Sequence, residues 1–374
     1  MNKIQHLAID VDDQQFHGCL LSGDGQCIEF STPPDVGALA KKVESLRDRE
    51  AELKICYEAT YVGFRLQRDL AKRGYHCDVI APSLTPRKPG ERVKTDRLDS
   101  RKLAEYYQRG LLTLVHIPDE SQEKVRGLIR SREFLVGQLK ALKKHILSHC
   151  RCMGLDYRRS GTGGAQISHW TGLHRQWLLG RIREMHEDGL KLNLQMLLLQ
   201  MEHLERSVAG YDEDIKRIAE QAEYKKAVGA VCCYRGLDVL SAMTLICELG
   251  DIRRFDHPRR LTAYAGMSIV ESSSGAHQRR FHISKMGNRF IRTTVIEACQ
   301  TVGSLPRISR QLAKRREGAE KIWIEIADRA MARLHKKAMH LWHVNKPKNK
   351  IKVACARELL GFIWESLRAV ASNA

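Results

Sequence analysis

The chain has 374 residues, enough for two or three domains with well-filled cores at about 150 residues each. Hydrophobic residues make up 43% and charged residues 29%, a balance that excludes a disordered or fibrous chain. Lys and Arg number 63 against 44 Asp and Glu, a formal net charge of +19, so a polyanionic partner is expected, with nucleic acid ahead of an anionic membrane surface.

The opening Met1-Asn2-Lys3 lacks an apolar signal core. Apolar stretches such as Leu111 to Ile117 and Leu194 to Met201 fall far short of the roughly 20 residues of a spanning helix. A cytoplasmic protein without a membrane partner is expected. The 11 cysteines are odd in number and contain no Cys-x-x-Cys pair, which favours reduced, mostly buried thiols. His145, His149, Cys150 and Cys152 crowd one helical stretch, but no second ligand pair of zinc-site spacing accompanies them.

From the amino terminus, Ile4 to Val11, Gln14 to Ser22 and Gln26 to Ser31 read as three strands, with Gly23-Asp24-Gly25 turning the second into the third. A helix from Asp35 to Arg47, a strand Leu53 to Tyr57, a helix Val62 to Lys72, a strand His76 to Ala81 and a helix from Thr95 follow. A meander followed by alternating helices and strands is the ribonuclease-H-like order, an α/β domain over residues 1–117. Asp10 lies near the end of the first strand, Glu58 follows the fourth, and Asp96 and Asp99 share a helical face behind a capping Thr95. Taken singly, the last two acids fit ordinary helix capping. Four converging carboxylates instead suit a pair of hard divalent cations, the equipment of phosphodiester chemistry.

Residues 118–225 read as an elongated helical arm. Val125, Arg132, Leu139 and Ile146 recur every seven residues, interleaved with Leu128, Leu135, Leu142 and His149. A second seam sets Leu194, Met201, Val208 and Ile215 against Leu197, Leu204, Tyr211 and Ile218. Ser160-Gly161-Thr162-Gly163-Gly164 and a helical stretch from Trp170 to Trp177 separate them. Such seams suit either a hairpin within one chain or a zipper between two.

Residues 226–374 read as a mainly helical domain. Arg235-Gly236-Leu237-Asp238 before an apolar run resembles half of a helix-hairpin-helix. Leu261 to Met267, a Ser-rich loop at Ser272-Ser273-Ser274-Gly275, and Ile283 to Arg292 come next. Helices from Glu320 to Val344 and Val353 to Val370 flank Asn345-Lys346-Pro347-Lys348-Asn349-Lys350, a linker suited to touching nucleic acid. Trp323, Leu334, Leu341 and Trp342 read as core.

The segments Ala8-Ile9-Asp10-Val11, Cys56 to Thr60 and Lys94 to Ser100, with the carboxy-terminal run around Ser274, resemble transposases of insertion-sequence family one-ten. The resemblance implies a RuvC-like domain whose acidic set is Asp10, Glu58, Asp96 and Asp99, holding Mg²⁺ or Mn²⁺, and a second domain whose nucleophile is Ser274. It further implies a DNA recombinase working through a phosphoserine on donor and target DNA. A structured non-coding bridge RNA would guide it, and dimers would assemble into tetramers that draw the two half-sites from different subunits. Arg279, Arg280, Lys285, Arg289 and Arg292 would position the phosphate backbone, with stabilisation of the transition state as a second role for the arginines. Asp13 stands where the family commonly has lysine, with Asp12 beside it, and Ile269 replaces a usual proline. A metal-dependent Holliday-junction resolvase with no covalent step is the main alternative, and a non-catalytic nucleic-acid binder the next.

Overall fold

The computed structural model describes residues 3–86, 96–157, 168–186, 188–274 and 277–372. Two units divide the chain, Met1–Asp119 and Glu120–Ala374.

In the first unit, β1 (Ile4–Val11), β2 (Phe16–Leu21) and β3 (Cys27–Thr32) form an antiparallel meander. Helix α1 (Val36–Leu46) starts at Asp35, whose carboxylate accepts from the Ala38 amide at 2.7 Å. Then come β4 (Glu52–Glu58), α2 (Arg65–Ala71), β5 (Cys77–Ile80) and α3 (Asp96–Gln108). The five strands lie in the order β3-β2-β1-β4-β5, with β4 parallel to both β1 and β5. Successive strand side chains point to opposite faces. Leu7, Ile9 and Val11 accordingly pack with Ile55, Tyr57 and Val79 beneath Leu39, Leu66 and Leu70 of α1 and α2. Ala8, Cys56 and Ile80 face the other way, against Leu103 and Ala104 of α3. A mixed α/β sheet with helices on both faces is therefore present, as the element order leads one to expect. Nine cysteines are free and eight of these are buried, as expected; the exception is Cys19 and Cys27, on neighbouring strands with Cα atoms 6.4 Å apart, which pair as a disulfide. The strand pairing brings them together, which spacing along the chain does not reveal.

The second unit begins with α4 (Glu120–Cys152), α5 (Gly172–Glu184) and α6 (Asp188–Ala219). Arg132 pairs with Asp212, Lys143 with Glu205 at 2.6 Å, and His149 with Asn193 at 3.0 Å. Partner numbers fall as α4 advances, so α4 and α6 are antiparallel legs of one hairpin within the chain. Leu194, Leu198 and Met201 pack on Ile146 and Cys150, with Leu178 and Ile182 of α5 completing that core. Cys150 is thus a packing residue, and among the described residues no group of three or more metal-ligating side chains forms a site.

Helix α7 (Ala222–Cys232) spans the division expected at residue 225, and its Tyr224 and Val228 join the core that follows. That core gathers α8 (Val239–Leu249), α9 (Pro258–Tyr264), α10 (Arg289–Ala298), α12 (Lys321–His343) and α13 (Lys348–Ser372), with the short α11 (Arg310–Arg315) between. Strands β6 (Ile269–Ser274) and β7 (His277–Ile283) form an antiparallel hairpin between α9 and α10. Trp323 and Leu334 are buried as expected, whereas Trp342 is half exposed. No helix among the described residues is long and apolar enough to cross a membrane.

Candidate functional site

Strands β1 and β4 pair in parallel register from Ile4 opposite Glu52 to Ile9 opposite Tyr57. The next rung sets Asp10 abreast of Glu58, one strand spacing of about 4.8 Å away. By alternation both belong to the face of Ala8 and Cys56, the face α3 covers. Glu58 closes β4 as its last residue rather than following it. The direction of α3 is fixed by its far end. Tyr107 stacks edge-on against His6 with ring centroids 5.5 Å apart, and its hydroxyl donates to Asp78 at 2.6 Å. Asp99 lies eight residues before Tyr107, about 12 Å along a helix. Asp10 lies four residues beyond His6, about 13 Å along a strand. The first turn of α3, with Asp96 and Asp99, therefore sits toward the Asp10 end of the sheet. The Asp96 side chain lies outside the described residues.

Two residues that the sequence did not single out border this carboxylate pair. The Thr85 hydroxyl donates to Glu58 Oε1 at 3.0 Å. Tyr61, 70% exposed just past β4, has its hydroxyl pKa raised by local desolvation and then by the negative field of Asp13, Asp12 and Asp10. Oxygen donors throughout this corner suit a hard divalent cation. Neither neighbour carries a motif; only the turns after β4 and β5 bring them in.

In the second unit the Ser-rich stretch is strand rather than loop. Ile269 and Val270 open a β-prone run that His277–Ile283 pairs with, so that Ser274 faces His277 and Ser272 faces Arg279. The side chains of Ser274, Arg279 and Arg280 lie outside the described residues. What is described is the hairpin's foundation. The Ser284 amide donates to Ser268 O and the Lys285 amide to Gly266 O, at 2.8 and 2.9 Å. Gly266 has φ +66°, and a Cβ there would stand 2.6 Å from Arg292 Nη1. At Gly287 a Cβ would meet Tyr264 O at 2.4 Å. Both positions therefore require glycine.

Arg292 is committed to this foundation, donating to Ala265 O at 2.9 Å, with its pKa lowered by burial. Lys285 and Arg289 are exposed, Arg289 lying 5.0 Å over the Phe290 ring. Asn288 caps α10 through Oδ1 and donates from Nδ2 to Glu248 Oε2 at 2.6 Å. Glu248, fully buried, takes a two-pronged contact from Arg130 of α4 at 2.7 and 2.9 Å. That contact raises the Arg130 pKa further. One buried carboxylate thus joins the arm, α8 and the loop carrying the hairpin.

Residues 7–152 match the family model described as "Transposase" for the DEDD domain of IS110 elements, and residues 232–314 match "Transposase IS116/IS110/IS902 family". The chain is 32% identical over 335 residues to "Putative transposase y4qE" of Sinorhizobium fredii, covering 88% of this chain and 79% of that protein. It is 27% identical to the transposase for insertion sequence element IS1533 of Leptospira borgpetersenii, covering 83% and 87%. To the transposase for IS1111A of Coxiella burnetii it is 25% identical, covering 81% and 79%.

Proposed function

The chain belongs to the IS116/IS110/IS902 family of insertion-sequence transposases, enzymes that act on DNA, and from that premise we propose that it cuts and rejoins DNA through a covalent serine link at Ser274. The observation carrying the metal-dependent part of this reading is the placement of Asp10 and Glu58 at the ends of the adjacent parallel strands β1 and β4, and the match of residues 232–314 to the family supports the serine part. Asp10, Glu58, Asp96 and Asp99 would hold Mg²⁺ or Mn²⁺; when bound, the ion neutralises phosphoryl charge. Their purely oxygen donors fit that role.

The covalent step balances as follows. Ser274 Oγ bonds to a DNA phosphorus as the bond from that phosphorus to a deoxyribose oxygen breaks. The serine proton passes to an acidic group of the site, and the departing oxygen takes up a proton. Reversal with a different deoxyribose hydroxyl rejoins the strand, and the phosphoserine retains the energy of the broken phosphodiester. Exposed Lys285 and Arg289, with Arg279 and Arg280 on β7, are assigned to the DNA backbone. Arg292 is assigned to holding the hairpin. RuvC-like architecture in the first unit, guidance by a structured RNA, and dimers assembling into tetramers whose acidic and serine half-sites come from different copies complete the proposal. A domain boundary near residue 117 belongs to it as well.

Incubation with a nicked donor duplex followed by SDS tests the chemistry. Wild type is expected to leave a DNA adduct; Ser274→Ala and Glu58→Gln are expected to leave none. Strand cleavage that survives in Ser274→Ala and needs Glu58 would establish the resolvase-like alternative instead. Sequencing of RNA that copurifies with the protein tests guidance, and absence of an enriched element-derived RNA removes that part.

A further inference from the structure

We propose that the second unit carries a separate binding site for single-stranded DNA, in a groove running from Arg307 to Trp342. This rests on the DNA-recombinase reading and adds a place where an unpaired strand is held. Two adjoining clefts make the groove. One, of about 590 Å³, is lined by Arg235, Arg307 and Arg315; the other, of about 470 Å³, by Trp342, Lys348 and Lys352. Thr301 and Ser304 line both, so the clefts adjoin at one turn of chain.

Charge and shape select the occupant. Five of the lining side chains are cationic, and among the described residues no Asp or Glu lines either cleft. A protein partner would need acidic and apolar groups in a fixed pattern. A phosphodiester backbone needs only spaced positive charge. Arg235 is the structural member, donating to Ser304 O and Leu305 O at 3.2 and 3.0 Å, which shapes the shared turn. Arg307 and Lys348 are exposed.

Trp342 separates single-stranded from duplex DNA. An indole 51% exposed in the lining of a cleft leaves apolar surface to water that a stacked group would cover. Lys348 Nζ lies 5.5 Å from its ring centroid, an arrangement that a stacked base can replace. Gly303 adds no side chain there: even an added Cβ would stand 3.9 Å from Cζ3. Bases in a duplex are stacked on each other and cannot reach the ring, whereas an unpaired base can. Strand exchange in the proposed reaction creates unpaired DNA, so DNA rather than RNA is the assigned strand.

The test uses the full chain in a Ser274→Ala background with EDTA, so that loss of the serine reading leaves the readout intact. Fluorescence anisotropy is measured with a 20-nucleotide oligo(dT), oligo(rU) of the same length, and a 20-base-pair duplex. Trp342→Ala is expected to weaken oligo(dT) binding about tenfold and duplex binding less than about twofold, with Trp342→Phe close to wild type. Arg307→Gln is expected to lower the salt dependence by about one ion. Oligo(dT) carrying 5-iododeoxyuridine is expected to crosslink to Trp342, read by peptide mapping. Unchanged oligo(dT) affinity in Trp342→Ala with no crosslink at that residue overturns the site. Equal loss on duplex overturns the single-strand assignment, and loss confined to oligo(rU) overturns DNA as the occupant.

Discussion

Glu58 is held by a residue 27 positions away, since the Thr85 hydroxyl donates to its Oε1. A hydrogen bond to a charged group contributes about 1.5–3 kcal/mol, so Thr85→Val is expected to slow single-turnover strand cleavage roughly tenfold or more and to raise the metal concentration needed. Thr85→Ser, keeping the hydroxyl, is expected to restore both; equal defects in the two variants would mean a packing role. Glu248 presents the complementary case. Its carboxylate is buried against Arg130 and Asn288. Arg130→Met leaves that charge with fewer partners and is expected to destabilise the second unit by about 3 kcal/mol in urea unfolding. Asp10 and Glu58 were legible in the sequence because acids at the ends of apolar strands stand out against the alternation. Thr85 and Glu248 were not, because only the fold supplies their partners.

Helices α4, α5 and α6 meet at Glu205, whose pKa is lowered chiefly by hydrogen bonds from Arg175 and then Lys143. Below this clamp His174 is buried among Tyr157, Trp170 and Trp177, and its Nδ1 accepts from the Trp170 amide at 3.1 Å. Desolvation, then the neighbouring charges of His169 and Arg175, lowers its pKa from 6.5 to about 4. Between those values the unfolded chain binds a proton that the folded arm refuses, so stability is complete above about pH 6.5 and declines as pH falls toward 4. At roughly 1.4 kcal/mol per unit, moving from pH 7 to 5 is expected to weaken the arm by about 2 kcal/mol, read by tryptophan fluorescence. His174→Gln is expected to flatten that dependence. Both legs of the arm were visible as heptads, but their pairing within one chain was not, because Arg132 in the seam looks like a break until Asp212 is found opposite it. The serine segment was misread as a loop for a similar reason: a run of serines has no strand signal until His277–Ile283 pairs with it. Trp342 was misassigned to the core because α12 has apolar positions nearly all round, and the boundary of its buried stripe is set by where α13 turns back.

Across the whole chain the excess of 63 basic over 44 acidic residues makes DNA affinity strongly dependent on ions. If six or more phosphates are engaged, raising salt from 50 to 200 mM is expected to weaken duplex binding at least about a thousandfold. A loss under tenfold in an anisotropy titration would mean that most of the charge faces solvent. Composition announced a nucleic-acid protein before any motif was found, and the order of strands and helices announced the first unit. The internal arrangement of the second resisted reading, because its ten described α-helices, α4 to α13, leave many permissible packings that only long-range contacts decide.

Legs of 33 and 32 residues running in opposite directions have a mechanical corollary. Removing one heptad from each, at facing positions, telescopes the arm by about 10 Å and still rejoins the chain where it departed. Shortened and lengthened versions should fold alike, and any graded change in recombination with arm length would then measure how far apart the enzyme must reach.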